Sequence, residues 1–356
     1  MRRTAGIVLL LLSVMAAGAG AAPWTTAWQK GTAEAAIDVA LSGDGRTVAV
    51  LNGPALTLYD ATGSLLWEAP ASHAGSVDIS TDGSLIVAGG ENLRAYHRDG
   101  EIAFRHDTGF FALGSGISPD GSTIAAGFDN SSLMIFRQDS NGSFEAAHIL
   151  TTPADVTTLD LAMNGSHIVT GDREGFIRYY TGEGRLLWSY KTGSDLLSLV
   201  ITDDGSRIIA GMDHGVVGLL TANGREAWKQ TAGDRMPAVA IAGDGTVAAI
   251  GADGITVHSI SEDTEESVGT TGVTALSLSA DGSGMAAAFE NRSVALVTIG
   301  EESTPAVTTP QGRTETTPST PPRTETDAIP PTDAAPSPAL IVAALGGAVL
   351  LALKRR

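Results

Sequence analysis

Six acidic residues recur about once per forty residues, each between two apolar stretches of the chain. Carboxylates arranged in a ring would project a negative field that concentrates cations or a basic partner. Because Asp and Asn favour turns whatever the function, a purely structural turn role is the alternative. The candidate binding residues are Glu91, Asp129, Asp172, Asp213, Asp253 and Glu290.

The side chains that usually perform catalysis form no recognisable site in this sequence. The absence of cysteine excludes thiol nucleophiles, disulfide scaffolds and Cys-ligated metals. Gly-x-Ser-x-Gly, His-Glu-x-x-His and the phosphate-binding P-loop are all missing. The 7 histidines have no ligand-like spacing. We therefore expect no catalytic residue, no metal site and no bound cofactor, so that the protein is not an enzyme.

Four Asn-x-Ser sequons are candidate sites for N-linked glycans. Such a site needs an exposed asparagine on an exported protein. The four asparagines are Asn130, Asn141, Asn164 and Asn291.

An Asp-Gly or Asn-Gly pair repeats seven times and predicts the elements that position these residues. The spacings between successive pairs are 38, 38, 44, 40, 40 and 37 residues, and apolar residues alternate on both sides of each pair. This pattern is the strongest short-range signal for a β-hairpin. Each hairpin leads into a third and a fourth short apolar strand, and such units of about 40 residues are typical of propeller blades. The sequence therefore predicts an all-β fold, a β-propeller of seven blades with four antiparallel strands each.

The last blade is predicted to close with a strand from the beginning of the propeller. The seventh repeat offers three strands, whereas Ala27-Trp28-Gln29-Lys30 parallels Ala227-Trp228-Lys229-Gln230. Trp28 precedes Asp44 by the same 16 residues that separate Trp228 from Asp244. We expect this N-terminal strand to complete the last blade and remove the open edges at the ring seam.

Residues 24–300 resemble the superfamily of WD-repeat and quinoprotein-like (pyrroloquinoline-quinone-type) propellers. Ser118-Pro119-Asp120-Gly121-Ser122 is similar to the WD-type turn, and the closing tryptophans 67, 188 and 228 are similar to the quinoprotein type. The Gly-His and Trp-Asp dipeptides of true WD repeats are missing. The resemblance implies the fold and no particular activity.

The two ends of the chain predict export and anchoring. Residues 1–22 have the basic, apolar and small-residue order of a signal peptide, and residues 23–300 form the propeller. Residues 301–338 contain nine of the 15 prolines and ten threonines, which predicts an extended stalk. Residues 339–356 combine an apolar run with a basic tail, and they resemble the membrane anchor or sorting signal of prokaryotic, archaeal-type cell-surface proteins. The expected location is the cell surface, with the propeller outside.

The overall charge of −18 argues against nucleic-acid partners, which need Lys and Arg to neutralise phosphate. We expect a monomeric propeller displayed at the cell surface that binds a protein, glycan or envelope component on one rim. The alternative is a quinoprotein-like enzyme or small-ligand sensor that uses the central channel.

Overall fold

The computed structural model describes residues 24–107, 109–233, 237–260 and 264–299. Within these ranges the chain forms 28 β-strands and one short 3-10 turn, Met163–Gly165. No helix in the described part of the chain is long and apolar enough to cross a membrane. The predicted signal peptide, stalk and anchor lie outside the described residues.

Seven antiparallel sheets of four strands each confirm the predicted seven-bladed propeller. Blades are numbered in chain order, and within each blade the strands run from the central channel outward. Blade one contains β2 (Ala36–Leu41), β3 (Thr47–Asn52), β4 (Ala55–Asp60) and β5 (Leu65–Pro70). Blade two contains β6 (Ser76–Ile79), β7 (Leu85–Gly89), β8 (Leu93–His97) and β9 (Ile102–His106). Blade three contains β10 (Ala112–Ile117), β11 (Thr123–Phe128), β12 (Ser132–Gln138) and β13 (Phe144–Thr151).

The remaining blades have the same strand order. Blade four contains β14 (Val156–Leu161), β15 (His167–Asp172), β16 (Phe176–Thr181) and β17 (Leu186–Lys191). Blade five contains β18 (Leu196–Ile201), β19 (Arg207–Met212), β20 (Val216–Thr221) and β21 (Glu226–Thr231). Blade six contains β22 (Ala238–Ile241), β23 (Val247–Gly251), β24 (Ile255–Ser259) and β25 (Thr264–Ser267). Blade seven contains β26 (Val273–Leu278), β27 (Gly284–Phe289), β28 (Ser293–Ile299) and β1 (Trp24–Gly31).

The repeated Asp-Gly pairs form the turns between the first and second strands of the blades. In blade one, the Asp44 carboxylate accepts hydrogen bonds from the Ser42 hydroxyl at 2.6 Å and from the Arg46 N–H at 3.0 Å. Gly45 follows at φ 70°, a left-handed conformation that glycine adopts without a steric penalty. Blades two, three, five and seven repeat the same pair of bonds at their turn aspartates. Local hydrogen bonding therefore explains why this dipeptide recurs.

The N-terminal strand closes the ring, as the sequence predicts. β1 pairs antiparallel with β28, from Trp24 opposite Ile299 to Gly31 opposite Ser293. Trp24 and Trp28 are both buried, and the Trp28 ring lies 5.7 Å from that of Tyr59 in blade one. Blade seven therefore has four strands, and both ends of the propeller are held in one sheet.

The tryptophans on the outermost strands connect neighbouring blades. Trp67 on β5 donates its indole N–H to the carbonyl of Arg98 in blade two, at 2.9 Å. Trp188 on β17 donates to the carbonyl of Ala222 in blade five, at 2.7 Å. The apolar cores lie between the blades, where the faces of adjacent sheets pack together.

Candidate functional site

A central channel of about 400 Å³ is lined by the innermost strands of all seven blades. Residues along each inner strand form its wall, for example Asp38 to Ala40 in blade one and Leu197 to Val200 in blade five. We call the end of the propeller where the inner strands begin the channel mouth. The same end carries the turns between second and third strands and the loops that connect successive blades.

The opposite end of the channel is bounded by a closed ring of hydrogen bonds. Each of the seven neighbouring pairs of blades is joined there by a backbone N–H donor at its Asp-Gly or Asn-Gly turn. These bonds are Asp44 N–H to Thr81 O, Thr81 N–H to Pro119 O, Asn164 N–H to Asp120 Oδ1, Met163 N–H to Asp203 O, Asp203 N–H to Gly243 O, Asp244 N–H to Ala280 O and Ala280 N–H to Gly43 O. This ring therefore joins all seven blades at the end opposite the mouth.

Three aspartates in the channel wall are functional candidates that sequence reasoning missed. Asp38, Asp78 and Asp160 lie on the inner strands of blades one, two and four. Each uses one oxygen for the N–H of the next residue and the other for an N–H of the next blade. A single charged residue inside an otherwise uncharged inner strand was the signal that could have identified them.

These bonds satisfy edge groups that would otherwise be unpaired in the channel. Each inner strand is the edge of its sheet, so some of its N–H groups point away from any strand partner. The Asp78 carboxylate accepts the N–H of Ile117 at 2.8 Å, and the Asp160 carboxylate accepts that of Ile201 at 2.8 Å. In blade seven the Ser277 hydroxyl has the same role toward the N–H of Leu41, at 3.0 Å. The channel carboxylates therefore join adjacent blades.

The channel carboxylates also have perturbed protonation. Burial raises the pKa of Asp38 to about 7, against the opposing effect of the N–H groups of Val77 and Val39. Burial likewise raises the pKa of Asp78 to about 6. For Asp160, burial and then the charge of Asp78 raise the pKa well above its usual range. No Lys, Arg or His side chain is among the described residues that line the channel, so these carboxyl groups have no counterion there.

The structure places five of the six predicted rim residues in the turns between second and third strands at the channel mouth, and Asp172 at the end of β15 beside such a turn. Glu91, Asp129, Asp253 and Glu290 are exposed, and Asp213 is partly exposed. Some have local partners: Glu91 pairs with His73 at 2.8 Å, and Asp129 accepts the N–H of Phe111 at 3.1 Å. These five residues remain a predicted binding rim.

Asp172 departs from the prediction, because its carboxylate is inside the protein. Its side chain is 0% exposed and forms an ion pair with the guanidinium of Arg178, which is 6% exposed. Its other oxygen accepts the N–H of Phe176 at 3.0 Å. A carboxylate neutralised in this way contributes no free charge to the rim, so Asp172 is a structural residue of blade four.

Further acidic residues reach the same face from the loops between blades, which the sequence analysis did not consider. Glu34, Asp107 and Asp195 are exposed on such loops, and Asp155 is half-buried. Basic residues on the described turns of this face include Arg173 and Arg292. The turns of the opposite face carry exposed arginines as well as aspartates. These arginines are Arg46, Arg98, Arg185 and Arg225. Acidic side chains therefore outnumber basic ones on the described turns and loops of both faces.

Exposed apolar side chains accompany these charges. Phe110 and Phe111, on the loop between blades two and three, are 45% and 42% exposed. Ile37 and Leu197 are also exposed, at the start of two inner strands that line the channel. Apolar groups surrounded by polar ones are typical of protein-binding surfaces.

The four candidate glycosylation residues, Asn130, Asn141, Asn164 and Asn291, are all exposed on turns. Asn130 and Asn291 lie on the mouth face, whereas Asn141 and Asn164 lie on the opposite face. Exposure makes modification sterically feasible, and glycosylation of these residues stays a prediction.

The channel lining does not fit a stacked quinone. Such a cofactor would need an aromatic ring to stack on, and all five tryptophans lie on outermost strands or the closing strand β1. No group of three or more Asp, Glu or His side chains in the described residues is arranged to hold a metal ion. We derive no catalytic step through a quinone from this site.

Comparison of the sequence with known proteins assigns the chain to a protein family. No curated protein matches the chain at a significant level. A family model described as "Outer membrane protein assembly factor BamB" matches residues 11–158 and again residues 152–278. Together these matches span well over half of the 356 residues, and they agree with the propeller architecture. The chain therefore belongs to this family of pyrroloquinoline-quinone-like propeller repeats.

Proposed function

We propose that this protein is a binding scaffold that docks a partner protein on the face around the channel mouth. The observation that carries the proposal is that this face combines acidic side chains with the exposed aromatic side chains of Phe110 and Phe111. The partner that fits has a basic docking surface with apolar groups inside it, because such a surface complements both features. The description of the matching family as an assembly factor supports a role in protein interaction.

Surface display is the second part of the proposal. Its support is the order of segments in the sequence: residues 1–22 as signal peptide, 301–338 as stalk and 339–356 as anchor. Removal of residues 336–356 is expected to release the propeller into the medium. Retention of that truncated protein on cells after a salt wash would contradict anchoring by the C-terminal segment.

The docking proposal is tested by removing charge from the mouth face. The full chain is immobilised, and the association of envelope proteins is compared for the wild type and a triple variant, Asp129→Asn, Asp213→Asn and Asp253→Asn. We expect slower association for the variant, because fewer charges steer the encounter. The effect should shrink as salt shortens the Debye length from ~10 Å at 0.1 M to ~3 Å at 1 M.

A matched control removes the same number of charges elsewhere. Glu68, Glu101 and Glu145 are exposed acids on or beside outermost strands, away from the mouth. Their replacement by Gln should leave association unchanged. Equal slowing by both triple variants would attribute the effect to net charge and would contradict docking at the mouth. Salt-independent association would do the same.

A further inference from the structure

Blades two and four carry an arginine at the same structural position. Arg94 on β8 lies opposite Ala88 of β7, and Arg178 on β16 lies opposite Thr170 of β15. Counted along the second strand, Gly90 in blade two therefore corresponds to Asp172 in blade four. The surroundings of Arg94 and Arg178 can therefore be compared directly between the two blades.

In blade four a carboxylate of the same chain neutralises the guanidinium of Arg178, whereas no carboxylate in the described residues pairs with that of Arg94 in blade two. Arg178 pairs with the buried carboxylate of Asp172. The corresponding Gly90 has no side chain, and a Cβ there would lie 2.7 Å from the Cα of Ala74. The loop between blades one and two approaches so closely that residue 90 cannot carry a side chain without a backbone shift, so this position cannot supply an internal carboxylate.

A small cavity occurs beside this unneutralised arginine. Its volume is about 130 Å³, and its lining includes Gly90, Arg94, Ser72 and Asn92. One terminal nitrogen of Arg94 donates to the carbonyl of Pro70 at 3.1 Å. The Nε–H of Arg94 is buried and has no hydrogen-bond partner. A buried N–H without an acceptor raises the free energy of the folded protein. A ligand in this cavity that offers acceptor oxygens to the Arg94 guanidinium would therefore be stabilised.

Nearby charges narrow the class of ligand. Arg105, opposite Arg94 on β9, already pairs with Asp107: its Nε lies 3.0 Å from one carboxylate oxygen, and a terminal nitrogen lies 2.9 Å from the other. Among the described residues Arg94 forms no ion pair. Glu91 also lines the cavity, and its carboxylate pairs with His73. That carboxylate would repel a dianion such as sulfate more strongly than a monoanion.

We propose that the cavity beside Arg94 binds a carboxylate group, which neutralises this guanidinium as Asp172 neutralises Arg178 in blade four. The guanidinium of Arg94 and the polar groups of Ser72 and Asn92 would donate to its oxygens, since charge-assisted bonds from Arg to carboxylate are strong. The carboxylate comes either from a free small molecule or from an acidic side chain of a docked protein. The site does not depend on the docking proposal, because a small carboxylate can fill it without a partner.

The test follows the Nε–H resonances of the full chain labelled with ¹⁵N-arginine. Sodium acetate is titrated against sodium chloride at constant ionic strength. We expect one Nε–H resonance to shift saturably with acetate and not with chloride. The shift should be lost in Arg94→Met and kept in the control Arg105→Met. An equal response to chloride, a non-saturating shift or an unaltered response in Arg94→Met would overturn the proposal.

A second arm distinguishes the two sources of the carboxylate. A short blocked peptide with one glutamate side chain replaces acetate as the probe. Binding at least about tenfold tighter than that of acetate would indicate a protein side chain as the source. Binding equal to or weaker than that of acetate would indicate a free small carboxylate.

A third variant tests the equivalence of the blades without changing Arg94. Asp172→Gly gives blade four the glycine of blade two and exposes the guanidinium of Arg178 to added anions. Acetate should restore part of the lost melting temperature of Asp172→Gly and should not restore that of Asp172→Leu, whose side chain fills the site. An equal effect of acetate on the melting temperatures of both variants would contradict the proposal that an added carboxylate can replace that of Asp172.

Discussion

The carboxylate of Asp38 in blade one accepts a hydrogen bond from the backbone N–H of Val77 in blade two, at 2.9 Å. Asp78 and Asp160 make the equivalent connection from blade two to blade three and from blade four to blade five. These bonds cross the gaps between sheets, where no strand pairing holds the blades together. The aspartates of the channel wall therefore stabilise the packing of adjacent blades, whether or not the channel binds a ligand.

The first prediction concerns the pH dependence of this connection. The pKa of Asp38 is raised by burial to about 7 in the folded protein, against an unfolded value of about 3.9. A group of this kind contributes stability that is present below the unfolded pKa and is lost as pH rises through the folded pKa. The wild type should therefore gain stability relative to Asp38→Asn as pH falls from 8 to 5. Urea denaturation at each pH measures the difference.

The matched control for Asp38 is a connection that does not titrate. Ser277→Ala removes the hydroxyl bond to the N–H of Leu41. Its cost should be ~1–3 kcal/mol for the unsatisfied buried N–H and should not vary over the same pH range. A parallel pH profile for Asp38→Asn and Ser277→Ala would show that the Asp38 carboxyl group does not titrate as described.

The second prediction concerns the buried ion pair of blade four. Asp172→Asn removes the charge that compensates Arg178 and leaves a buried guanidinium, so it should lower the free energy of unfolding by ~3–5 kcal/mol. Asp253→Asn, at the exposed turn of blade six, should stay within ~0.5 kcal/mol of the wild type. Chemical denaturation of the two variants makes the comparison. Similar stabilities would mean that Asp172 is a surface charge after all.

The third prediction concerns ring closure. Deletion of residues 22–31 removes β1, including the side chains of Trp24 and Trp28, which are 2% and 9% exposed. The loss should exceed the ~3–5 kcal/mol of one buried aromatic side chain, because the edge of β28 is also uncovered. Calorimetry should show a lower and broader melting transition. The control Thr25→Ala, at an exposed position of the same strand, should melt close to the wild type.

The repeat period and the closure of the ring could be predicted because their signals are local. The Asp-Gly turn is held by hydrogen bonds within six residues, and the alignment of Trp28 with Trp228 needs no knowledge of neighbouring blades. The strand order inside every blade follows from these signals.

The role of single charged residues could not be predicted, because it depends on contacts between strands and between blades. Asp172 resembles its equivalents in sequence, and only the cross-strand position of Arg178 buries it. Asp38 has its second partner 39 residues away in the next blade. The acids of the loops between blades join the rim because those loops end on the face of the channel mouth.

The most direct test of docking at the channel mouth uses the absence of cysteine from the chain. Ala33→Cys places one thiol on an exposed loop of the mouth face, and Ala61→Cys places one on an exposed turn of the opposite face. Each variant carries the same photo-crosslinker and is irradiated on cells that display it. The account predicts a discrete protein adduct from Ala33→Cys, weakened by high salt, and none from Ala61→Cys. An adduct of equal or greater yield from Ala61→Cys would contradict docking at the mouth.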